Sequence, residues 1–265
     1  MTYFTAIILG LVEGATEFIP VSSSGHLIVA RALLGVNDSM GLSFDAVLQL
    51  AATFALVIYF WKDLWTVFMT FLSVVTGGNV TEKDKTLLYS IVLGTIPAII
   101  FGLLLEKKMD TVFRNTSLVA LSLILGSLLI WLAQKFAKQN KELTLGRGII
   151  VGFFQCIALV PGISRSGSTI SGGLFSGLTK DDAVRFSFLL SVPVLLGSGF
   201  KKLYEIRSAV LGSGQGSVLL VGAIASFVVG LVSINFLIKY LKKHDLNVFV
   251  WYRVVLAIFL LLFLR

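Results

Sequence analysis

Residues 10–28 read GLVEGATEFIPVSSSGHLI, and residues 152–170 read GFFQCIALVPGISRSGSTI. Each stretch starts apolar, breaks into a loop rich in Pro, Ser and Gly, and turns apolar again. Gly10 falls on Gly152, Glu13 on Gln155, Ser22 on Ser164, Ser24 on Ser166 and Gly25 on Gly167, all at one constant offset. Only the prolines, Pro20 and Pro161, miss by one place. The shared spacing points to an internal duplication, with repeats of about 1–140 and 145–265 inside a single membrane domain covering 1–265.

The surroundings of the two loops are a bilayer protein's. Of 265 residues, 56% are hydrophobic and only 14% are charged, against about a quarter charged in a soluble domain. Mean hydropathy is +0.93. The apolar runs are continuous, without the alternation of a lipid-facing β-barrel, so helices are expected. Runs 43–61, 87–105, 117–136, 183–200, 217–239 and 247–264 have about the length of a span. Segment 64–76 is shorter and extends the first span or lies at the interface. Charged clusters at Glu82–Lys85, Glu106–Asp110, Lys138–Glu142, Lys201–Arg207 and Lys239–Asp245 read as turns.

Stretches 3–35 and 147–179 fit neither pattern, because each apolar arm is too short to cross. Hairpins that enter and leave on one side account for them. Irregular backbone at membrane depth needs protein or water to satisfy it, so such hairpins imply a cavity. The fold expected is an all-α polytopic membrane protein built as an inverted repeat. Each half is a re-entrant helical hairpin plus three transmembrane helices, and sites lie where broken helices meet.

The net charge of +8 does not indicate nucleic acid, because the basic residues sit in short clusters between apolar runs. They also bias orientation. On the N-terminal side lie Arg31, Lys107, Lys108, Arg114, Lys201, Lys202, Arg207 and Arg265; a larger set, from Lys62 and Lys83 to Lys242 and Lys243, lies opposite. By the positive-inside rule the opposite side is cytoplasmic, and the mouth of the first hairpin opens outward. A lone cysteine, Cys156, forms no intramolecular disulfide. The N-terminal stretch lacks a basic start and is interrupted by Glu13 and Glu17, so a cleaved signal peptide is not expected.

Glu13 and Glu17 share one helix face. Acids are costly inside a membrane, and a divalent cation, Mg²⁺ or Ca²⁺, is the natural compensation. The plainer reading is two solvated acids in a wet vestibule. His26, after Ser22, Ser23, Ser24 and Gly25, suits a general acid/base or a nucleophile, or else a structural bond to its loop. His244 sits in a basic turn and is expected at the surface. In the second loop Arg165 offers a planar fork that matches phosphate oxygens. Ser164, Ser166, Ser168 and Thr169 surround it, and the loop opens a helix whose N-terminus favours anions. Arg165 can equally pair with Glu13 or Glu17, and that pair can open for substrate. Two acids, one His, one Arg and several hydroxyls suit metal-assisted phosphoryl hydrolysis. The membrane setting suggests a lipid substrate.

EGATEFIPVSSSGHL and PGISRSGST resemble the two signature segments of the undecaprenyl-diphosphate phosphatase family, also known for bacitracin resistance. The likeness extends over the whole chain and includes the Phe44–Gln49 segment. It implies hydrolysis of undecaprenyl diphosphate to undecaprenyl phosphate and inorganic phosphate. That recycles the lipid carrier for peptidoglycan synthesis and confers bacitracin resistance. It also implies a divalent metal and a multi-pass enzyme of the bacterial plasma membrane with its site open to the outer face. Carried over residue by residue, Glu13 and Glu17 match the acidic motif. His26 matches the essential histidine, Ser23 a hydroxyl near it, and Ser164, Arg165 and Thr169 the second motif. The expected roles are metal binding by Glu13 and Glu17 and catalysis by Glu17, His26, Arg165 and Ser23. Ser164, Arg165, Ser166, Thr169 and Ser22 are expected to bind the diphosphate. The partners are a polyprenyl diphosphate lipid and the bilayer, with no nucleic acid and a homodimer left open. The nucleophile, whether His26, a serine or water, is undecided.

Three rival readings share parts of this pattern. A histidine-dependent acid phosphatase needs a second His six residues after the Arg, where this chain has Ser171. A transporter or flippase of undecaprenyl phosphate or a related anionic lipid would share the hairpin architecture, yet gains nothing from buried carboxylates. A purely structural membrane protein leaves Glu13, Glu17 and Arg165 without a purpose.

Overall fold

The computed structural model describes residues 1–36, 41–112, 115–213 and 216–263; of these, 41–43, 106–112 and 208–213 are described in backbone alone. The described residues form α1 (Tyr3–Thr16), α2 (Ser23–Leu33), α3 (Gly41–Tyr59), α4 (Trp61–Thr76), α5 (Glu82–Val112) and α6 (Thr116–Phe136). The second part of the chain forms α7 (Leu145–Ile157), α8 (Arg165–Phe175), α9 (Lys180–Ser213), α10 (Gly216–Leu241) and α11 (Asn247–Phe263). No strand occurs among these residues, only one isolated bridge between Lys141 and Leu178. The all-helical expectation holds.

Burial is distributed as a membrane solvent requires. Phe4, Leu104, Leu121, Leu125, Trp251, Val255 and Leu262 are exposed, whereas Thr169, Ser171, Ser187, Ser191, Ser226 and Arg253 are completely buried. An exposed apolar skin of this extent is unfavourable in water and natural in lipid. Among the described residues four helices are long and apolar enough to cross a membrane: Glu82–Leu105 of α5, α6, Lys180–Arg207 of α9, and α10. The pair α3–α4 makes a fifth if taken as one broken span. The sixth expected run, 247–264, is α11, a shorter apolar helix of 17 residues.

Two expectations about the spans need correction. Segment 64–76 does not prolong the first span in a straight line, because α3 and α4 meet at an 80° bend around Phe60. Trp61, Trp65, Phe68 and Phe71 of α4 are exposed, the aromatic pattern of an interfacial helix. The clusters Glu106–Asp110 and Lys201–Arg207 are not turns. The backbone stays helical through both, to Val112 and Ser213. In α9 the ion pairs Lys201–Glu205 (3.3 Å) and Lys202–Glu205 (3.1 Å) support the helix at the spacing that places such side chains together. The side chains of Lys107 and Lys108, and residues Arg114 and Arg265, lie outside the described residues.

Both polar stretches are short helical hairpins. α1 and α2 have 14 and 11 residues, α7 and α8 have 13 and 11. At about 1.5 Å per residue none reaches across a hydrocarbon core of roughly 30 Å. The first arm of each hairpin docks on a long helix of the opposite part of the chain, α1 on α10 and α7 on α5. Glycines permit the close approach. A Cβ on Gly10 would collide with the carbonyl of Gly222, and one on Gly152 with the backbone of Gly94. Backbone-to-backbone contact between small residues is how helices associate where no hydrophobic force separates them from lipid. With α1 and α7 seated in this way, the two loops turn toward each other.

Candidate active site

Each loop ends in a serine that starts the next helix. Ser22 and Ser164 both have φ of 75°, a left-handed conformation that non-glycine residues seldom adopt. Each side chain then caps its helix, Ser22 Oγ accepting from Gly25 N at 3.4 Å and Ser164 Oγ from Gly167 N at 3.2 Å. Backbone strain of about 1–3 kcal/mol per residue persists only where the surroundings impose it, and it clusters at functional sites. Here it occurs at two positions already matched by the sequence.

The loops meet directly. Arg165 Nη2, at the start of α8, donates to Glu17 Oε1 at 3.0 Å, and Ser23 Oγ donates to Glu17 Oε2 at 2.7 Å. Gly162 N of the second loop donates to Ser24 Oγ of the first at 3.3 Å, and Ser24 shares a hydrogen bond with Ser22 at 3.1 Å. Glu13 and Glu17 are only 2% and 6% exposed, and their carboxyl groups adjoin. One acid is thus held by Arg165 and Ser23, while Glu13 Oε2 has no hydrogen-bond partner. Arg165 Nε and Nη1 also lack partners, although buried. Buried polar atoms without partners are costly. Here they comprise an acceptor that attracts a cation and two donors that attract an anion.

His26 is placed by other contacts. Its Nδ1 lies 2.8 Å from the carbonyl of Ser22, and its Nε2 lies 2.7 Å from Tyr252 Oη on α11. It makes no direct bond to Glu13, Glu17 or Arg165, and the loop contact expected of a structural histidine is present together with a second contact to α11. His244 is exposed in its turn, stacked on Tyr240. The hydroxyls of the second motif serve the fold in this structure. Ser164 and Ser166 bond each other at 3.3 Å, and Thr169 bonds the Arg165 carbonyl at 2.8 Å and the Ser187 hydroxyl. Ser168 reaches the Phe154 carbonyl at 2.8 Å and ties α8 to α7. At the start of α8 the unfilled donors are therefore those of Arg165, and on α7 the buried side-chain amide of Gln155 is likewise without a partner. Within the Phe44–Gln49 segment, Asp45 forms an ion pair with Arg31 of α2.

Sequence reasoning missed Arg253. It is completely buried and donates to the carbonyls of Pro20 (3.3 Å), Gly162 (2.9 Å), Ile163 (2.9 Å) and Leu123 (3.2 Å), and to Ser127 Oγ (3.2 Å). Pro20 belongs to the first loop, Gly162 and Ile163 to the second. One guanidinium thus clamps both loops through their backbones. Gly126 leaves it room, since a Cβ there would strike Nη2 of Arg253. The signal was available, because a lone Arg within an apolar run is a site candidate by default.

Among the described residues no group of three or more His, Cys, Asp and Glu side chains converges on a common point. The Glu13–Glu17 pair alone fits a hard cation that takes its remaining oxygens from substrate and water, as Mg²⁺ commonly does.

Residues 6–259 match the family described as bacitracin resistance protein BacA. The chain is 40% identical to a protein of Chloroherpeton thalassium over 98% of this chain and 96% of that one. It is 43% identical to one of Trichlorobacter lovleyi over 97% and 96%, and 41% identical to one of Mycolicibacterium smegmatis over 98% and 96%. Each of the three is named undecaprenyl-diphosphatase.

Proposed function

The chain belongs to the bacitracin resistance protein BacA family, and on that footing we propose that it is an integral membrane phosphatase acting on undecaprenyl diphosphate. It releases inorganic phosphate and returns undecaprenyl phosphate to peptidoglycan synthesis, which confers bacitracin resistance. The observation that carries this reading is the Glu17–Arg165 pair, joining two hairpins at 3.0 Å with two further guanidinium donors unfilled. The names of the relatives support it and do not favour a carrier of anionic lipid.

In this reading Arg165 Nε and Nη1 hold the oxygens of the diphosphate, and charge-assisted donors of this kind suit a phosphate and the charge that builds in its transfer. The N-terminus of α8 adds its dipole. Ser22, Ser164, Ser166 and Thr169 keep the cradle in shape and join it where the phosphate displaces their mutual bonds. Glu13 and Glu17 hold a divalent cation, Mg²⁺ or Ca²⁺, supported by the orphaned oxygen of Glu13. When bound it neutralises charge on the diphosphate and orients it. Ser23 fixes the second oxygen of Glu17. His26 presents a ring nitrogen to the site as nucleophile or acid/base. Hydrolysis breaks the phosphoanhydride bridge and adds one water across it. The lipid phosphate leaves along the apolar exterior, where the prenyl chain remains in the bilayer.

The matched strain at Ser22 and Ser164, and the reciprocal docking of α1 on α10 and α7 on α5, support duplicated halves, 1–140 and 145–265, in inverted orientation. The charge bias of the basic clusters that flank the apolar runs supports a site open to the outer face of the plasma membrane.

Purified protein with Mg²⁺ and undecaprenyl diphosphate is expected to release phosphate. Failure to do so, in a preparation that moves the lipid across liposomes, would establish the carrier instead. Isotope-labelled phosphate trapped on His26 after a rapid alkaline quench, in which a phosphohistidine survives, marks a covalent route through that residue, and its absence from the whole protein during turnover marks direct attack by water.

A further inference from the structure

The two ring nitrogens of His26 have partners of different kinds, and the difference assigns their roles. Nδ1 lies 2.8 Å from the Ser22 carbonyl oxygen. A carbonyl can only accept, so Nδ1 carries the hydrogen. In the neutral imidazole Nε2 then holds the lone pair. Its partner is Tyr252 Oη at 2.7 Å, so the phenol donates to it. The two rings lie almost parallel, 3° apart with centroids separated by 5.4 Å, so they stack as well as share the hydrogen bond.

Tyr252 is well placed to keep this geometry. It precedes Arg253 on α11, and Arg253 grips the backbone of both loops. The same stretch of helix thus sets the spacing of the loops and the position of the phenol. Tyr252 is 47% exposed, and its hydroxyl lies against Nε2 of His26.

We propose that Tyr252 is a positioning residue for the phosphatase reaction, its phenol holding His26 in the Nδ1–H form and directing Nε2 as the reactive nitrogen. The proposal rests on the phosphatase reading. Tyr252 acts through His26: without the phenol, Nε2 has no polar partner in the protein, and the ring is held only from the Ser22 side. Nδ1 is committed to the backbone, so any proton or phosphoryl group that His26 accepts goes to Nε2.

The test uses Tyr252→Phe in the full-length protein in detergent, with Trp251→Phe as the neighbouring control, since Trp251 is 69% exposed and outside the site. The chain has two histidines, His26 and His244, so a sample labelled with ¹⁵N-histidine gives two sets of ring signals. Tyr252→Phe should move the Nε2 resonance of His26 and leave those of His244 in place. It should lower kcat about tenfold, the equivalent of one modest hydrogen bond at the transition state, with KM within about twofold. Trp251→Phe should change neither. An unmoved His26 signal in Tyr252→Phe, an unchanged kcat, or an equal loss in Trp251→Phe would overturn the proposal. If the wild type releases no phosphate, the phosphatase reading falls, while the resonance shift still decides the Tyr252–His26 contact.

Discussion

Arg165 donates to Glu17 at 3.0 Å although 148 positions of sequence separate them, so neither hairpin holds a complete site by itself. Glu17 also accepts from Ser23 at 2.7 Å, which occupies its other oxygen and fixes the carboxylate plane. Ser23→Ala should therefore cost about tenfold in kcat, the worth of one hydrogen bond to a charged group. Ser23→Thr should recover most of it. Steady-state phosphate release measures both.

Glu13 is the acid with one carboxyl oxygen, Oε2, left without a hydrogen-bond partner. Glu13→Gln keeps the shape and removes the charge. It should raise the Mg²⁺ concentration for half-maximal activity by roughly tenfold or more, as loss of a metal-ligand contact does, while affinity for substrate at saturating metal changes less. A metal titration of both proteins decides this, and an unaltered metal requirement would remove Glu13 from the cation site.

Arg253 is expected to govern stability and activity together. Arg253→Met leaves four carbonyls and the Ser127 hydroxyl without this donor in a buried place. Orphaning buried acceptors costs about 1–3 kcal/mol each before relaxation, so thermal unfolding in detergent should come at clearly lower temperature. Gly126→Ala should act in the same direction, because its Cβ strikes the Arg253 guanidinium. A variant with wild-type melting and activity would show that the clamp is dispensable.

The serines at φ of 75° give a graded test. Ser22→Ala loses the cap, about 1 kcal/mol, and keeps the strain. Ser22→Gly loses little as a cap and removes the strain. Glycine should thus be tolerated better than alanine at Ser22, and likewise at Ser164. The reverse order in melting temperature would contradict the conformation.

Much of this was legible before any coordinates. Two helical hairpins are expected from arms too short to span and loops too polar to face lipid, and α1–α2 and α7–α8 are helical hairpins of that length. Glu13, Glu17, Ser23 and Arg165 gather because the signature segments hold each hairpin's polar side chains together. The misses have separate causes. The Glu106–Asp110 and Lys201–Arg207 clusters were read as turns because charge leaves the bilayer there, yet the helix continues past that boundary on ion pairs such as Lys202–Glu205. The 80° bend at Phe60 leaves no proline or glycine marker, since YFWK is continuously helix-compatible. Arg253 and Tyr252 lay in a run treated only as a span, and their role depends on which loops α11 faces. That is a tertiary fact, and local pattern does not carry it. The hydroxyls Ser164, Ser166 and Thr169 are expected to bind substrate; in this structure Ser164 caps α8, Ser166 bonds Ser164, and Thr169 bonds the Arg165 carbonyl and Ser187.

The central claim is that one active site is shared between the two hairpins, with Arg165 as its phosphate-binding group. Phosphate release from undecaprenyl diphosphate, by wild type and by Arg165→Ala purified in parallel with Mg²⁺, tests it most directly. The account predicts ready release by the wild type and a loss of about 10²–10³-fold in the variant, the scale for removing a preorganised charge-stabilising donor, in a protein that still elutes as folded. Arg165→Ala turning over at the wild-type rate would contradict it.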